Sequence, residues 1–190
     1  NTLTLSSSEN AEATFSAELM ALSLASTYTS STSVAYAAQA ETVLRHADAS
    51  FTLGGTDLTA YARSIEVAIS NGLEPRRGAG TLTPRVMQLV GAREVTVTVT
   101  LDAETTFIET LLSRWRGQTA VDAVVAWVVS GYGPTITVND GVMTAAADPA
   151  ISGTGQQTVT LTIKGYGVLS TTEAVAASFV TPNASVESAG

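Results

Sequence analysis

Three segments of the chain alternate strictly between large apolar residues and small or polar ones. They are residues 64–70, 95–101 and 158–164, in which Ile, Val or Leu fills every second position. The positions between them hold mostly Ser and Thr. This period of two predicts β-strands with one face buried. Phe51–Leu53, which ends at a Gly-Gly pair, predicts a shorter strand followed by a turn.

An apolar stripe with helical spacing follows the second of these segments. It runs from Phe107 to Trp115 and ends at Gly117, a residue common at helix C-termini. Asp102 precedes the stripe and is expected to cap the N-terminus of the helix. The pattern predicts one helix over about residues 103–116.

The remaining segments complete a fold of strands around this helix. Residues 121–129 are apolar on both faces, so we expect one face to meet the helix and the other a second sheet or another subunit. Asn139-Asp140-Gly141 predicts a turn between two short strands. Residues 72–92, rich in Gly, Pro and Arg, predict a long loop. The expected class is α+β: a mainly antiparallel β-sandwich with one flanking α-helix.

The chain of 190 residues has the length of one domain. We expect an N-terminal arm and first elements over 1–50, the sandwich over 51–167 and a C-terminal tail over 168–190. The first residues show no basic segment leading into an apolar run, so no signal peptide is expected. No run of about 18 apolar residues occurs, so no membrane span is expected either.

The composition excludes several kinds of chemistry. The chain has no cysteine, one histidine and a formal net charge of -8. Disulfides and thiolate catalysis are therefore excluded, and we expect no triad around His46, no metal site, no cofactor and no enzymatic activity. The acidic balance argues against a broad grip on nucleic acid, which needs clustered cations. Thr occurs 29 times and Ser 19 times, so hydroxyl side chains outnumber charged ones.

The cations are concentrated at one place in the sequence. Arg76, Arg77, Arg85 and Arg93 lie in or next to the predicted loop. Arg makes planar, multi-donor contacts with carboxylates and is common in interfaces. Two interpretations stay open: a solvated loop, or an interface loop whose arginines meet acidic groups of a neighbouring copy.

The middle of the sequence resembles a known family. The segment from Ser64 to Asp102, with the step Gly91-Ala92-Arg93-Glu94-Val95 opening a long alternating strand, resembles the major tail tube proteins of long-tailed bacteriophages. The run from Tyr132 to Gly167 is similar to the closing strands of that family. The resemblance covers roughly residues 51–167 and rests on element order and turn residues.

The resemblance implies a β-sandwich that forms homohexameric rings. The inner sheets of six copies would form a continuous barrel, and stacked rings would form a tube, joined to other tail proteins, through which DNA passes transiently to the host. The protein would be made in the host bacterial cytoplasm and carried in the virion tail. An acidic wall rich in hydroxyl groups suits such a lumen, because it does not bind phosphates.

A second class of function fits the same sandwich. The chain could be another tail or secretion-tube component, or a Thr-rich surface interaction domain. Microscopy of the concentrated protein distinguishes these hypotheses, since tubes or rings favour the tail tube and monomers favour an interaction domain.

Overall fold

The computed structural model describes residues 2–18, 43–80, 85–91, 93–103, 105–146, 150–152, 156–166 and 175–180. Within these ranges the chain forms thirteen strands, one α-helix (α1, Thr105–Arg116) and two short 3-10 turns (His46–Asp48 and Thr59–Tyr61). The strands are β1 Thr2–Ser8, β2 Thr14–Glu18, β3 Ala49–Leu53, β4 Thr56–Asp57, β5 Ala62–Ser70, β6 Leu73–Arg76, β7 Val86–Leu89, β8 Glu94–Asp102, β9 Val121–Trp127, β10 Gly133–Ala146, β11 Ala150–Ser152, β12 Gln156–Tyr166 and β13 Val175–Val180.

Eleven of the thirteen described strands form two antiparallel sheets that share β10, and β6 pairs with β7 separately. The first sheet has the order β2-β1-β5-β8-β12, and β12 pairs further with β11 and with the second half of β10. The second sheet has the order β4-β3-β9, and β9 pairs with the first half of β10, which also pairs with β13. The described strands do not close into a barrel within one protomer. The predicted antiparallel sandwich with one helix is confirmed.

The core lies between the apolar faces of the two sheets. Val97, Val99 and Leu101 of β8 are fully buried, as the alternation of this strand predicts. Phe51 and Trp127 bring the largest side chains from the second sheet into the same cluster. Each fully buried side chain of this size contributes about 1.5–3 kcal/mol. One continuous core therefore holds both sheets together.

The strand β10 crosses from one sheet to the other through a bulge, which corrects a sequence prediction. Asn139-Asp140-Gly141 does not reverse the chain between two strands, but lies inside the single strand β10. The register shifts between Val138 and Gly141, and Asp140 has a positive φ of 51°. A Cβ at Gly141 would lie 2.8 Å from Ile163 Cγ2, so the close approach of β12 requires glycine. Bulges of this kind bend a strand and increase its twist.

The helix α1 contributes apolar side chains to the core, and its prediction over about residues 103–116 is confirmed by Thr105–Arg116. Ile108 and Leu111 are buried in the common cluster, and α1 packs against β10. The predicted cap is wrong: Asp102 ends β8, three residues before the helix, and its carboxylate accepts a hydrogen bond from Arg63.

Three segments contain more regular structure than the sequence indicated. Residues 72–92, predicted as a loop, include the paired strands β6 and β7. The first strand, β1, lies between β2 and β5 as an integral part of the first sheet. The expected C-terminal tail contributes β13. The division of the chain into parts at residues 50 and 167 stays a prediction.

A chain of hydrogen bonds joins the two sheets across the core. Trp127 Nε1 donates to Ser7 Oγ over 2.9 Å, and Ser7 Oγ lies 2.9 Å from His46 Nδ1. His46 Nε2 lies 2.8 Å from the carbonyl oxygen of Ala62. The carbonyl oxygen can only accept, so His46 Nε2 donates to it, while Nδ1 is the ring atom that shares a hydrogen bond with the Ser7 hydroxyl. The side-chain polar groups of Ser7, His46 and Trp127 thus all have hydrogen-bond partners, as polar groups inside a protein require.

We expect Ser7→Ala to destabilise the protein by about 1–3 kcal/mol, because it leaves the buried Trp127 N–H without an acceptor. Urea denaturation followed by tryptophan fluorescence measures the free energy of unfolding. Ser8→Ala, at the exposed end of the same strand, is the control and should change it by less than about 0.5 kcal/mol. Equal effects of the two substitutions would show that the Ser7 hydrogen bonds do not stabilise the fold.

Candidate functional surfaces

The outward face of the first sheet is a continuous polar surface, called here the hydroxyl face. Because alternate residues of a strand point to opposite faces, the register between strands determines which residues share it. They are Thr14, Ser16 and Glu18 of β2, Thr2, Thr4, Ser6 and Ser8 of β1, Ser64, Glu66, Ala68 and Ser70 of β5, Glu94, Thr96, Thr98, Thr100 and Asp102 of β8, and Thr158, Thr160, Thr162 and Lys164 of β12. None of these positions carries an uncharged side chain larger than Thr.

Neighbouring hydroxyl groups on this face bond to one another across the strands. Ser6 Oγ lies 2.8 Å from Thr14 Oγ1, and Thr100 Oγ1 lies 3.2 Å from Thr160 Oγ1. Short side chains that are bonded in this way leave the sheet smooth and hydrated. Over the positions named above, the five strands thus present a broad wall of mostly short polar side chains.

The charges on the hydroxyl face are mostly negative. It carries four carboxylates, those of Glu18, Glu66, Glu94 and Asp102. Two cations reach it, and each contacts a carboxylate: Lys164 Nζ lies 2.5 Å from Glu94 Oε1, and Arg63 Nε donates to Asp102 Oδ1. Like charges of this density repel an anionic polymer.

Hydrogen bonds from neighbouring side chains shift the ionisation of these pairs. The hydrogen bond from Lys164 lowers the pKa of Glu94, with a smaller contribution from the Thr96 hydroxyl that donates to the same carboxylate over 3.1 Å. The hydrogen bond to Asp102 raises the pKa of Arg63. Each of these two shifts favours the charged form of the group concerned.

A second surface is the arginine hairpin, formed by β6, β7 and the described residues 77–80 and 85 between them. Its ends are held together where the N–H groups of Val90 and Gly91 donate to the carbonyl oxygen of Gly72, over 2.9 and 3.2 Å. Near its tip the Arg85 N–H donates to the Arg76 carbonyl oxygen over 2.8 Å. The strands pair only with each other among the described elements.

The structure brings together three of the four arginines that the sequence singled out. Arg76, Arg77 and Arg85 are exposed and line one open concavity of about 590 Å³ near the tip of the hairpin. Arg93, which is also exposed, follows the hairpin and is not among the residues that line this concavity. Within the described part of the chain, no carboxylate lies within ion-pair distance of any of the four.

The arginine hairpin also carries apolar side chains that its own protomer leaves exposed. The directly paired residues Leu73 with Leu89, and Pro75 with Met87, share one face. Leu89 is 57% exposed, and Val90 just after it is 51% exposed. No described residue of β6 or β7 is buried. An isolated two-stranded hairpin is marginally stable in water, and exposed apolar residues of this kind are common at interaction sites.

The edge of the first sheet is a third surface. All five residues of β2 are exposed, and Phe15 is 61% exposed. In the described part of the chain nothing pairs with the outer side of β2. An unpaired strand edge offers N–H and C=O groups to a further strand.

No structural feature of an enzyme site accompanies these surfaces in the described ranges. Ser7 and His46 are hydrogen-bonded, but Ser7 is buried and its oxygen already accepts the Trp127 N–H. No group of three metal-ligating side chains occurs among the residues described. Over the same residues, no helix has the length and apolar character to cross a membrane.

The pH dependence of stability tests the Glu94–Lys164 pair. Because folding lowers the pKa of Glu94, the ionised pair stabilises the protein above the ordinary Glu pKa of about 4.3. This contribution is lost as the pH falls through the lower folded-state pKa. We expect the protein to melt at a higher temperature than Glu94→Gln at pH 7, with the difference vanishing in strong acid. Lys164→Gln should remove the same pH-dependent contribution, and a difference that persists in strong acid would contradict the assignment.

Comparison with known proteins agrees with the sequence resemblance. The family described as phage tail tube protein matches residues 1–186. A search among curated proteins found no match.

Twelve chains of solved structures are similar in fold. One belongs to the sheath-tube complex, in the extended state, of an extracellular contractile injection system. The two sequences are 13% identical, the match covers 70% of this chain and 88% of that chain, and the TM-score is 0.49. Another belongs to the virion of a native gene transfer agent particle. It is 16% identical, the match covers 70% of this chain and 96% of that chain, and the TM-score is 0.46. A third belongs to the baseplate of the anti-feeding prophage. It is 13% identical, the match covers 70% of this chain and 92% of that chain, and the TM-score is 0.44. Because the family match spans nearly the whole sequence, the chain belongs to the phage tail tube protein family.

Proposed function

We propose that the chain assembles into hexameric rings, that the rings stack into a tail tube, and that DNA passes through the lumen on its way to the host. Membership of the tail tube family makes the chain a structural component of a virion tail. The finer points, namely ring assembly, stacking with other tail proteins and DNA passage, rest on the three surfaces described above. The protein is made in the cytoplasm of the bacterial host and acts without catalysis.

The single observation that carries this proposal is the hydroxyl face. A wall that guides DNA must be wetted and must not hold phosphates, because each phosphate neutralised by a cation adds to affinity. The hydroxyl face meets both requirements, with short hydroxyl side chains and more carboxylates than cations. In the proposed tube, the first sheets of six copies join into a barrel with this face turned to the lumen.

The outer edge of β2 supports the joining of sheets between copies. A barrel has no free edges, so a protomer that contributes to one must expose an edge before assembly. The first sheet exposes β2, and the Phe15 side chain gives the contact an apolar component. Strand pairing between copies would extend the hydroxyl face around the lumen.

The arginine hairpin supports contact with a further copy. It combines exposed apolar residues, among them Leu89 and Val86, with the exposed Arg76, Arg77 and Arg85. The chain carries 17 acidic residues, so a second copy offers carboxylates for these arginines. The expected interface role of Arg76, Arg77, Arg85 and Arg93 therefore stays part of the proposal.

Assembly is tested first by electron microscopy of the concentrated protein in negative stain. We expect rings and tubes from the natural chain, and monodisperse monomers would favour an interaction domain instead. Deleting Arg76–Gly80, whose described side chains contribute nothing to the core, should leave a folded protomer by circular dichroism but prevent tubes. Arg116→Ala, an exposed cation on α1, is the control and should assemble normally. Tubes of normal length from the deletion variant would show that the hairpin is only solvated.

The orientation of the hydroxyl face can be tested because the chain contains no cysteine. Thr98→Cys introduces a single thiol on β8, beside the buried Val97 and Val99 but on the opposite face. We expect a maleimide-gold label on this thiol to appear at the inner radius of the tube in end-on views. The natural chain, treated identically, gives the unlabelled control. Gold at the outer radius would overturn the assignment of this face to the lumen.

A further inference from the structure

The two cations of the hydroxyl face differ from the arginines of the hairpin in their immediate surroundings. All three ion pairs in the described part of the chain involve Arg63 or Lys164. Lys164 contacts Glu94, while Arg63 contacts Asp102 and also lies 3.8 Å from Glu9. The hairpin arginines have no such partner among the described residues. Among the described residues, the ion pairs thus involve only the two cations that reach the hydroxyl face.

The sheet itself builds these pairs. Lys164 lies directly opposite Thr96 on the neighbouring strand, and Glu94 is two residues from Thr96 on the same face. Such diagonal positions are within reach of long side chains. Arg63 sits at the register shift between Ala62 and Ser64, and from there its guanidinium reaches Asp102 at the end of β8. Both carboxylates are therefore held beside their cations by backbone pairing, independently of any second copy.

A cation in this place would matter more in a tube than on a monomer. A symmetric ring repeats each lysine at the same height, so several cations would meet one DNA backbone together. Each phosphate contact releases counterions and adds to affinity. Surface ion pairs contribute little to the stability of the fold. The main effect of these pairs is therefore on the local charge of the hydroxyl face.

We propose that Glu94 and Asp102 are masking residues: each occupies a cation of the hydroxyl face in an ion pair, so that the phosphates of passing DNA are not retained. The inference rests on the proposed function, in which this face lines the path of the DNA. The hydrogen bond from Lys164 lowers the pKa of Glu94 and so favours the charged carboxylate that masking requires. Masking differs from a general effect of negative charge on this face. It depends on whether the carboxylate that contacts the cation is present, and not only on how many carboxylates the face carries.

Two isosteric variants separate masking from net charge. Glu94→Gln and Glu66→Gln each remove one negative charge from the hydroxyl face, but only the first removes the carboxylate that contacts Lys164. The probe is a fluorescent 30-base-pair DNA duplex, mixed at about 20 mM salt with assembled tubes that are then pelleted. We expect Glu94→Gln to retain the duplex at least about tenfold more strongly than Glu66→Gln, with the natural chain close to the latter. About 200 mM salt should abolish the retention.

Three further variants control for access, for cause and for the second ion pair. Thr162→Lys adds a cation opposite Thr98, away from any carboxylate on the paired strand, and its retention of DNA shows that the duplex reaches the face. The double variant Glu94→Gln with Lys164→Gln should lose the retention gained by Glu94→Gln alone. Asp102→Asn should give a smaller gain, since Glu9 remains near Arg63.

The outcomes that overturn masking are distinct from those that overturn the proposed function. Equal retention by Glu94→Gln and Glu66→Gln, while Thr162→Lys binds, would show that only net charge matters. Persistent binding by the double variant would show that Lys164 is not responsible. Failure of the natural chain to form tubes would instead refute the proposed assembly. The same five variants would then be compared as protomers by elution from phosphocellulose, where masking still requires Glu94→Gln to elute later than Glu66→Gln.

Discussion

The register of the first sheet is the constraint on which the rest of the structure depends. On β5, β8 and β12 the apolar positions are directly opposite one another, as in Val67 with Val97 and Ile163 with Val97. A shift of one residue would turn every buried Val, Ile and Leu of a strand outward. The same shift would bury Thr and Glu without partners, which costs more than any single contact supplies. The core and the hydroxyl face are therefore two consequences of one alignment.

Much of this fold could be predicted from the sequence, because its strongest elements are locally periodic. The strand around Val97 and the helix around Leu111 each bury the residues that their spacing selects. The sequence at the Asp140 bulge is also that of a turn, since a positive φ and a following glycine are common to both structures. Only the partner strands, β9 on one side and β12 on the other, distinguish a strand that changes sheets from one that turns back.

The candidate surfaces were harder to predict, because they depend on contacts between distant residues. The hydrogen-bond chain joins Ser7 to Trp127 across a separation of 120 residues, and no local pattern marks either as a partner. The pair of Glu94 and Lys164 likewise follows from strand pairing alone. The arginines at 76, 77 and 85 were visible in the sequence, but their position on a hairpin with exposed apolar residues was not. Composition could identify an acidic chain, yet it could not locate the charges.

The location of the charges relates the physical chemistry of the protomer to its proposed role. The net charge of -8 suits both a soluble monomer and a DNA-repelling wall, so it decides nothing by itself. The distribution is more informative. Cations on the hydroxyl face are paired within the protomer, whereas those of the hairpin stand beside exposed Val86 and have no carboxylate partner among the described residues. In the proposed tube, a cation that must not bind DNA is best paired with a carboxylate of the same sheet. A cation that contacts a neighbouring copy has to be left exposed. In the proposed tube these two treatments of the same charge separate the surface that passes DNA from the surface that joins subunits.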